Sequence, residues 1–217
     1  RSSDLLLFAE IKKFRQIGVW LKKFEHNQWE VRESVLYEVN SFLSKHTNPR
    51  LINLLIKALH DQDWHIRRTA ALIFEQKIDS RVRSGRTTVS VVHTMLKPSA
   101  IKALVHVMHD ERAEVRQYAT GALSNIHNQE VLVPLLEALH DEDSRVRRKA
   151  IHGLGNILAF PAIPHLLEFL QGPEHTSAEF ALKQLCPNVR KIVFGSSGDR
   201  LSDEDYLIYN PNLSYLT

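Results

Sequence analysis

The chain has 217 residues, 43% of them hydrophobic and 24% charged, with a formal net charge of +3. That is enough chain to bury one sizeable core, and the balance is ordinary for a globular protein. A single cysteine, Cys186, excludes an internal disulfide framework and a cysteine-rich zinc site and fits an intracellular, cytoplasmic setting. No apolar run approaches the ~20 residues of a membrane span, and the mild basicity permits nucleic-acid binding without demanding it.

The opening Arg1-Ser2-Ser3-Asp4 has neither an initiator Met nor a signal-peptide pattern and reads as a cut. Leu5–Phe14 reads as a helix, so residues 1–13 are expected to form an N-terminal helix of their own. Residues 14–186 then fall into helix pairs. The first pair carries Ile17, Trp20, Leu21 and Phe24, then Val31, Val35, Val39 and Phe42. The second breaks at Asn48-Pro49, turns at His60-Asp61-Gln62-Asp63 and continues with Ile66, Ala70 and Phe74. The third has Leu104, Val105 and Met108, turns at His109-Asp110-Glu111 and continues with Val115, Ala119, Leu123 and Ile126. The fourth has Leu132, Leu135, Leu136 and Leu139, turns at His140-Asp141-Glu142-Asp143 and continues with Val146, Ala150, Leu154 and Ile157.

The anchors Val31, Ile66, Val115 and Val146 stand 35, 49 and 31 residues apart, so a bare unit is 31 residues and the middle interval holds an insertion at about 79–97. A period of this size marks a solenoid, in which each unit buries its apolar face only against its neighbours. The small residue at Ala70, Ala119 and Ala150 lets helices approach closely. A fifth, degraded pair follows: Ala162–Leu170, a break at Gly172-Pro173, and Ser177–Leu185 without a Val-Arg pair. Residues 187–217 lose all periodicity and read as an irregular tail. The expected fold is all-α: a right-handed α-solenoid of about five helix pairs.

The frame Leu136-x-x-Leu139-x-Asp141 followed by Val146-Arg147-x-x-Ala150-x-x-x-Leu154 resembles the HEAT repeat, particularly the short variant of bilin lyases. Asp61, Ile66-Arg67 and Ala70 fit the same frame, as do Asp110, Val115-Arg116 and Ala119. The first unit has Val31-Arg32 but His26 in the place of the Asp. The resemblance implies an Asp–Arg ladder between repeats, built from Asp61, Asp110 and Asp141 with Arg67, Arg116 and Arg147 of the same or the adjacent unit. It implies a binding role more than a catalytic one; a bilin chaperone-lyase is a further reading implied by repeat style alone.

No enzyme, cofactor or metal is expected. The pairs His60-Asp61, His109-Asp110 and His140-Asp141 sit in successive turns roughly 10 Å apart, whereas one ion needs all its ligands at about 2.0–2.2 Å. Cys186-Pro187, Ser124 and Ser144 have no fixed base beside them, and Gly153 and Gly155 read as close-packing positions inside a helix. Trp29 and Trp64 share one slot and read as packing across adjacent turns. A basic stripe does recur: Arg67-Arg68, Arg116, Arg145, Arg147-Arg148-Lys149, with Arg81, Arg83, Arg86 and Lys97 in the insertion. Acids lie beside it in every turn. The expected function is a scaffold that binds another protein, a helix or an acidic segment, on its concave face through Arg68, Gln117, Arg148, Lys149 and His152. A nucleic-acid module using the stripe and the 79–97 loop is the alternative.

Overall fold

A computed structural model describes residues 2–83 and 97–186; residues 84–96 of the expected insertion and the expected tail 187–217 lie outside the described residues. The described residues are helical throughout and form five helix pairs: α1 (Ser2–Lys23) with α2 (Trp29–Leu43), α3 (Pro49–Ala58) with α4 (Trp64–Arg83), α5 (Pro98–Val107) with α6 (Ala113–Ser124), α7 (Leu132–Ala138) with α8 (Ser144–Asn156), and α9 (Ile163–Glu168) with α10 (His175–Leu185). The fold is an α-solenoid. The chain divides into two compact units, residues 1–123 and 124–217.

Two boundaries differ from expectation. The separate helix expected over residues 1–13 runs on without a break into the first helix of repeat one, as one 22-residue helix. Nothing between Asp4 and Gly18 stops a helix: no proline and no capping residue interrupts LLLFAEIKKFRQI. At the other boundary α4 continues four residues beyond Asp79, to Arg83, inside the stretch assigned to the insertion.

In the first unit the slots that recur in the sequence are the slots that are buried. Val35, Ala70 and Ala119 are fully buried, as are Val39, Phe74 and Leu123 four residues on. Val31 and Phe42, placed in the core by their spacing, are only half-buried; Leu36 and Leu43 fill that space instead. Asn48 caps α3, its side chain accepting from Arg50 N at 2.9 Å, and Pro49 supplies the first helical residue, where its missing N–H costs nothing.

The second unit repeats the pattern with Val146, Ala150 and Leu154, and the two glycines of α8 permit contact that a side chain would block. A Cβ on Gly153 would stand 2.9 Å from both Ser124 Cα and Leu135 Cδ1, and one on Gly155 3.0 Å from Ala181 Cα. Asp143 caps α8 through Arg145 N at 2.8 Å. The helix ends with Leu158 at φ 52°, the left-handed conformation that usually belongs to glycine. Ala159 N donating to Leu154 O at 3.0 Å closes that turn.

Candidate partner-binding face and the arginine ladder

The second helices of repeats one to four each begin with an arginine one residue after the apolar anchor, and the position dictates where it goes. One turn back lie the free carbonyls of the connecting turn. Nη1 of Arg32 donates to His26 O and Asn27 O, both at 2.8 Å. Arg67 does the same to Asp61 O and Gln62 O at 3.0 and 3.1 Å, and Arg116 to Asp110 O and Glu111 O at 2.9 and 3.3 Å. Arg147 donates to Asp141 O and Glu142 O at 2.8 and 2.9 Å. With one edge of the guanidinium fixed on its own turn, the other faces the next repeat in Arg32, Arg67 and Arg147.

That second edge finds a carboxylate of the following unit. Arg32 forks onto Asp61 with Nε and Nη2 at 2.9 and 2.8 Å, and Arg67 forks onto Asp110 at 2.5 and 3.1 Å. In the second unit Arg147 places Nε and Nη2 on one oxygen of Glu174, at 3.0 and 2.5 Å. The carboxylate partner of Arg32, Arg67 and Arg147 therefore belongs to the adjacent repeat, not its own. The aspartates also organise their turns: Asp61 accepts from Asp63 N, Asp110 from Arg112 N and Asp141 from Asp143 N, at 2.8 to 3.0 Å. His26, the exception in the sequence frame, does the same task with a ring nitrogen, Nδ1 accepting from Gln28 N at 3.1 Å. The Asp110 contact raises the pKa of Arg67 further above its already high value.

Beside the ladder runs an aromatic stack in the first unit. His65 lies against Trp29 with ring centroids 4.1 Å apart and against Trp64 at 3.8 Å, and the guanidinium of Arg112 covers Trp64 at 5.3 Å. Asp63 holds the imidazole through Nδ1 at 2.8 Å. Burial raises the carboxyl pKa of Asp63, but the hydrogen bonds from the His65 side chain and backbone outweigh it and leave the pKa below the usual range.

The residues expected on the binding face lie one position beyond the ladder arginines (Arg68, Gln117, Arg148), two beyond (Lys149) or four further on than Arg148 (His152). In the first unit Arg68 is half-buried with its guanidinium 5.7 Å over the Tyr118 ring, and Gln117 is half-buried beside that ring in sequence. Tyr37, in the slot four beyond Glu33, is 52% exposed, and Glu33 accepts from Thr69 Oγ1 at 2.7 Å. In the second unit Arg148 and His152 are exposed and Lys149 half-buried. The His152 ring packs against Phe180 at 5.4 Å; partial burial, and then the charge of Lys149, press its pKa below the ordinary imidazole value. Sequence reasoning missed Arg32, Tyr37, Tyr118, Glu174 and Phe180. Arg32 had a signal, since it follows Val31 as every ladder arginine follows its anchor. Glu174 had none, because the fifth turn departs from the frame.

Among the described residues no group of three or more His, Cys, Asp or Glu side chains could hold a metal ion. No described helix is long and apolar enough to cross a membrane. Of the basic stripe, Arg67, Arg116 and Arg147 point into the protein and Arg145 lies on Asp143 at 2.7 Å; Arg86 lies outside the described residues.

These features define an α-solenoid repeat protein. Residues 101–185 match the family described as HEAT repeats. No curated protein sequence matches the chain. Solved structures share the fold at low identity. One is a designed armadillo repeat protein in complex with the peptide (KR)4: 18% identity, TM-score 0.61, covering 82% of this chain and 84% of that one. A second is a computationally designed armadillo repeat protein for modular peptide recognition, at 19% identity and TM-score 0.60, covering 76% of this chain and 80% of that one. A third is the complex of CpcE and CpcF of phycocyanin lyase from Nostoc sp. PCC7120: 17% identity, TM-score 0.61, covering 82% of this chain and 68% of that one.

Proposed function

We propose that the chain is a non-catalytic, intracellular scaffold that holds an acidic segment of another protein against the outward slots of its second helices. The observation that carries this is the exposure pattern. In the second helices of repeats one to four the slots of Val35, Ala70, Ala119 and Ala150 are buried and the ladder arginines are buried or half-buried, while Tyr37 in one unit and Arg148 and His152 in the other are exposed and Arg68 is half-buried. Aromatic rings beside these side chains, Tyr118 under Arg68 and Phe180 against His152, give a partner apolar surface as well as charge. A designed relative of this fold holds a basic peptide; Arg68, Arg148 and Lys149 carry the opposite preference here. The engagement of Arg67, Arg116 and Arg147 with the carbonyls of their own turns favours this reading over phosphate tracking along nucleic acid.

The test uses fluorescence polarisation with a (DE)4 peptide beside (KR)4. The acidic peptide should bind, and the double variant R68E/R148E should abolish binding with helicity and melting temperature unchanged. Equal binding of (KR)4, or indifference to the double variant, would remove the reading. Retention on mixed DNA and RNA at ~50 mM salt, lost in R68E/R148E, would replace it with the nucleic-acid one.

A further inference from the structure

A second surface, independent of the one just proposed, lies on the outer side of α1. Its core contacts are made by Ile17, Trp20 and Phe24, all buried. About a quarter turn and more from that face stand Ile11, Phe14, Gly18 and Leu21, spaced 3, 4 and 3 residues apart. Ile11 is 42% exposed, Phe14 64% exposed and Leu21 half-buried. A 3-4 spacing is the seam by which one helix receives another. Gly18 lies inside the seam, and a Cβ built on it meets nothing within 4 Å, so a partner backbone has room to come close there.

Charge decides the occupant. From Ile11 to Phe24 the helix holds five cations and no carboxylate. Arg15 and Lys22 follow Ile11 and Gly18 by four residues, which places them along one edge of the seam, and both are exposed. Arg50 of α3 guards the other edge, its guanidinium 5.6 Å over the Phe14 ring. A second copy of this chain would bring Arg15 and Lys22 against their own equivalents, which repels. Among the described side chains the seam offers a membrane surface only Ile11, Phe14 and the half-buried Leu21, too few to hold it. We infer that α1 is a docking seam for an amphipathic helix of another protein, with large apolar residues at 3-4 spacing and Asp or Glu flanking them.

Two labelled helical probes test this on the full chain by fluorescence anisotropy: one with Leu at 3-4 spacing flanked by Glu, the other flanked by Lys. The Glu-flanked helix should bind. F14E and R15E/K22E should each weaken it at least tenfold, and G18L should do so by filling the seam. Phe14, Arg15, Gly18 and Lys22 are exposed, so melting temperature should hold in these variants, and R68E/R148E should leave binding unchanged. Equal binding of the Lys-flanked probe, or insensitivity to F14E, would overturn the inference. So would sedimentation showing a dimer of this chain that F14E dissociates, or binding only to phosphatidylserine vesicles.

Discussion

Glu174 is 2% exposed and stands at the end of the ladder, with Arg147 as its cationic partner. The two side chains are not equally buried: 3% of the carboxylate side chain is accessible against 21% of the arginine's. Removing each should therefore cost differently. Arg147→Ala leaves a charge sealed from water without its cation, and a broken buried pair of this kind costs about 3–5 kcal/mol. Glu174→Ala removes two charge-assisted hydrogen bonds, but the guanidinium keeps Asp141 O and Glu142 O and can gain water, so the cost should be about 2 kcal/mol. Replacing both by apolar side chains of similar bulk, R147M with E174L, should fall closer to the parent than R147A alone. Urea unfolding followed by far-UV circular dichroism measures all three. If E174A costs as much as R147A, or if neither exceeds about 0.5 kcal/mol, the ladder is an ordinary surface salt bridge and the reasoning fails.

Two further outcomes follow from side-chain surroundings. Gly153→Ala should destabilise by about 2 kcal/mol despite the better helix propensity of alanine, because the new methyl meets Ser124 Cα, which is backbone and cannot step aside; thermal unfolding reads it. For His152 the neutral ring is favoured in the folded state, so its contribution is complete above the ordinary imidazole range and is lost as pH falls through the depressed value; H152Q should flatten melting temperature against pH in that window.

The repeat frame was legible because it is written in side-chain volume. Ala70, Ala119 and Ala150 are small where helices meet, and Leu123 and Leu154 are large where space opens; all five are fully buried. The ladder was legible in its aspartates and arginines, since the frame repeats them, but not in its last acceptor. Glu174 reaches Arg147 from a turn of different length, and only the folded chain brings the two together. The half-buried state of Val31 escaped for a related reason. It holds the anchor slot of the first repeat, where position in the stack, not residue type, sets how much surface is covered. Lys77 is another such case: it fills the slot that Ile126 and Ile157 hold elsewhere, is buried, and donates to Ser44 Oγ at 2.6 Å. Burial lowers its pKa. Tyr118 and Phe180, which shape the proposed face, fit no repeated slot and left no pattern to read.

All three tryptophans of the chain, Trp20, Trp29 and Trp64, belong to the first compact unit, and two of them lie against the His65 imidazole. Indole emission is therefore a local gauge. It follows the melting of repeats one to three and is blind to residues 124–186, whose loss of helix only ellipticity records.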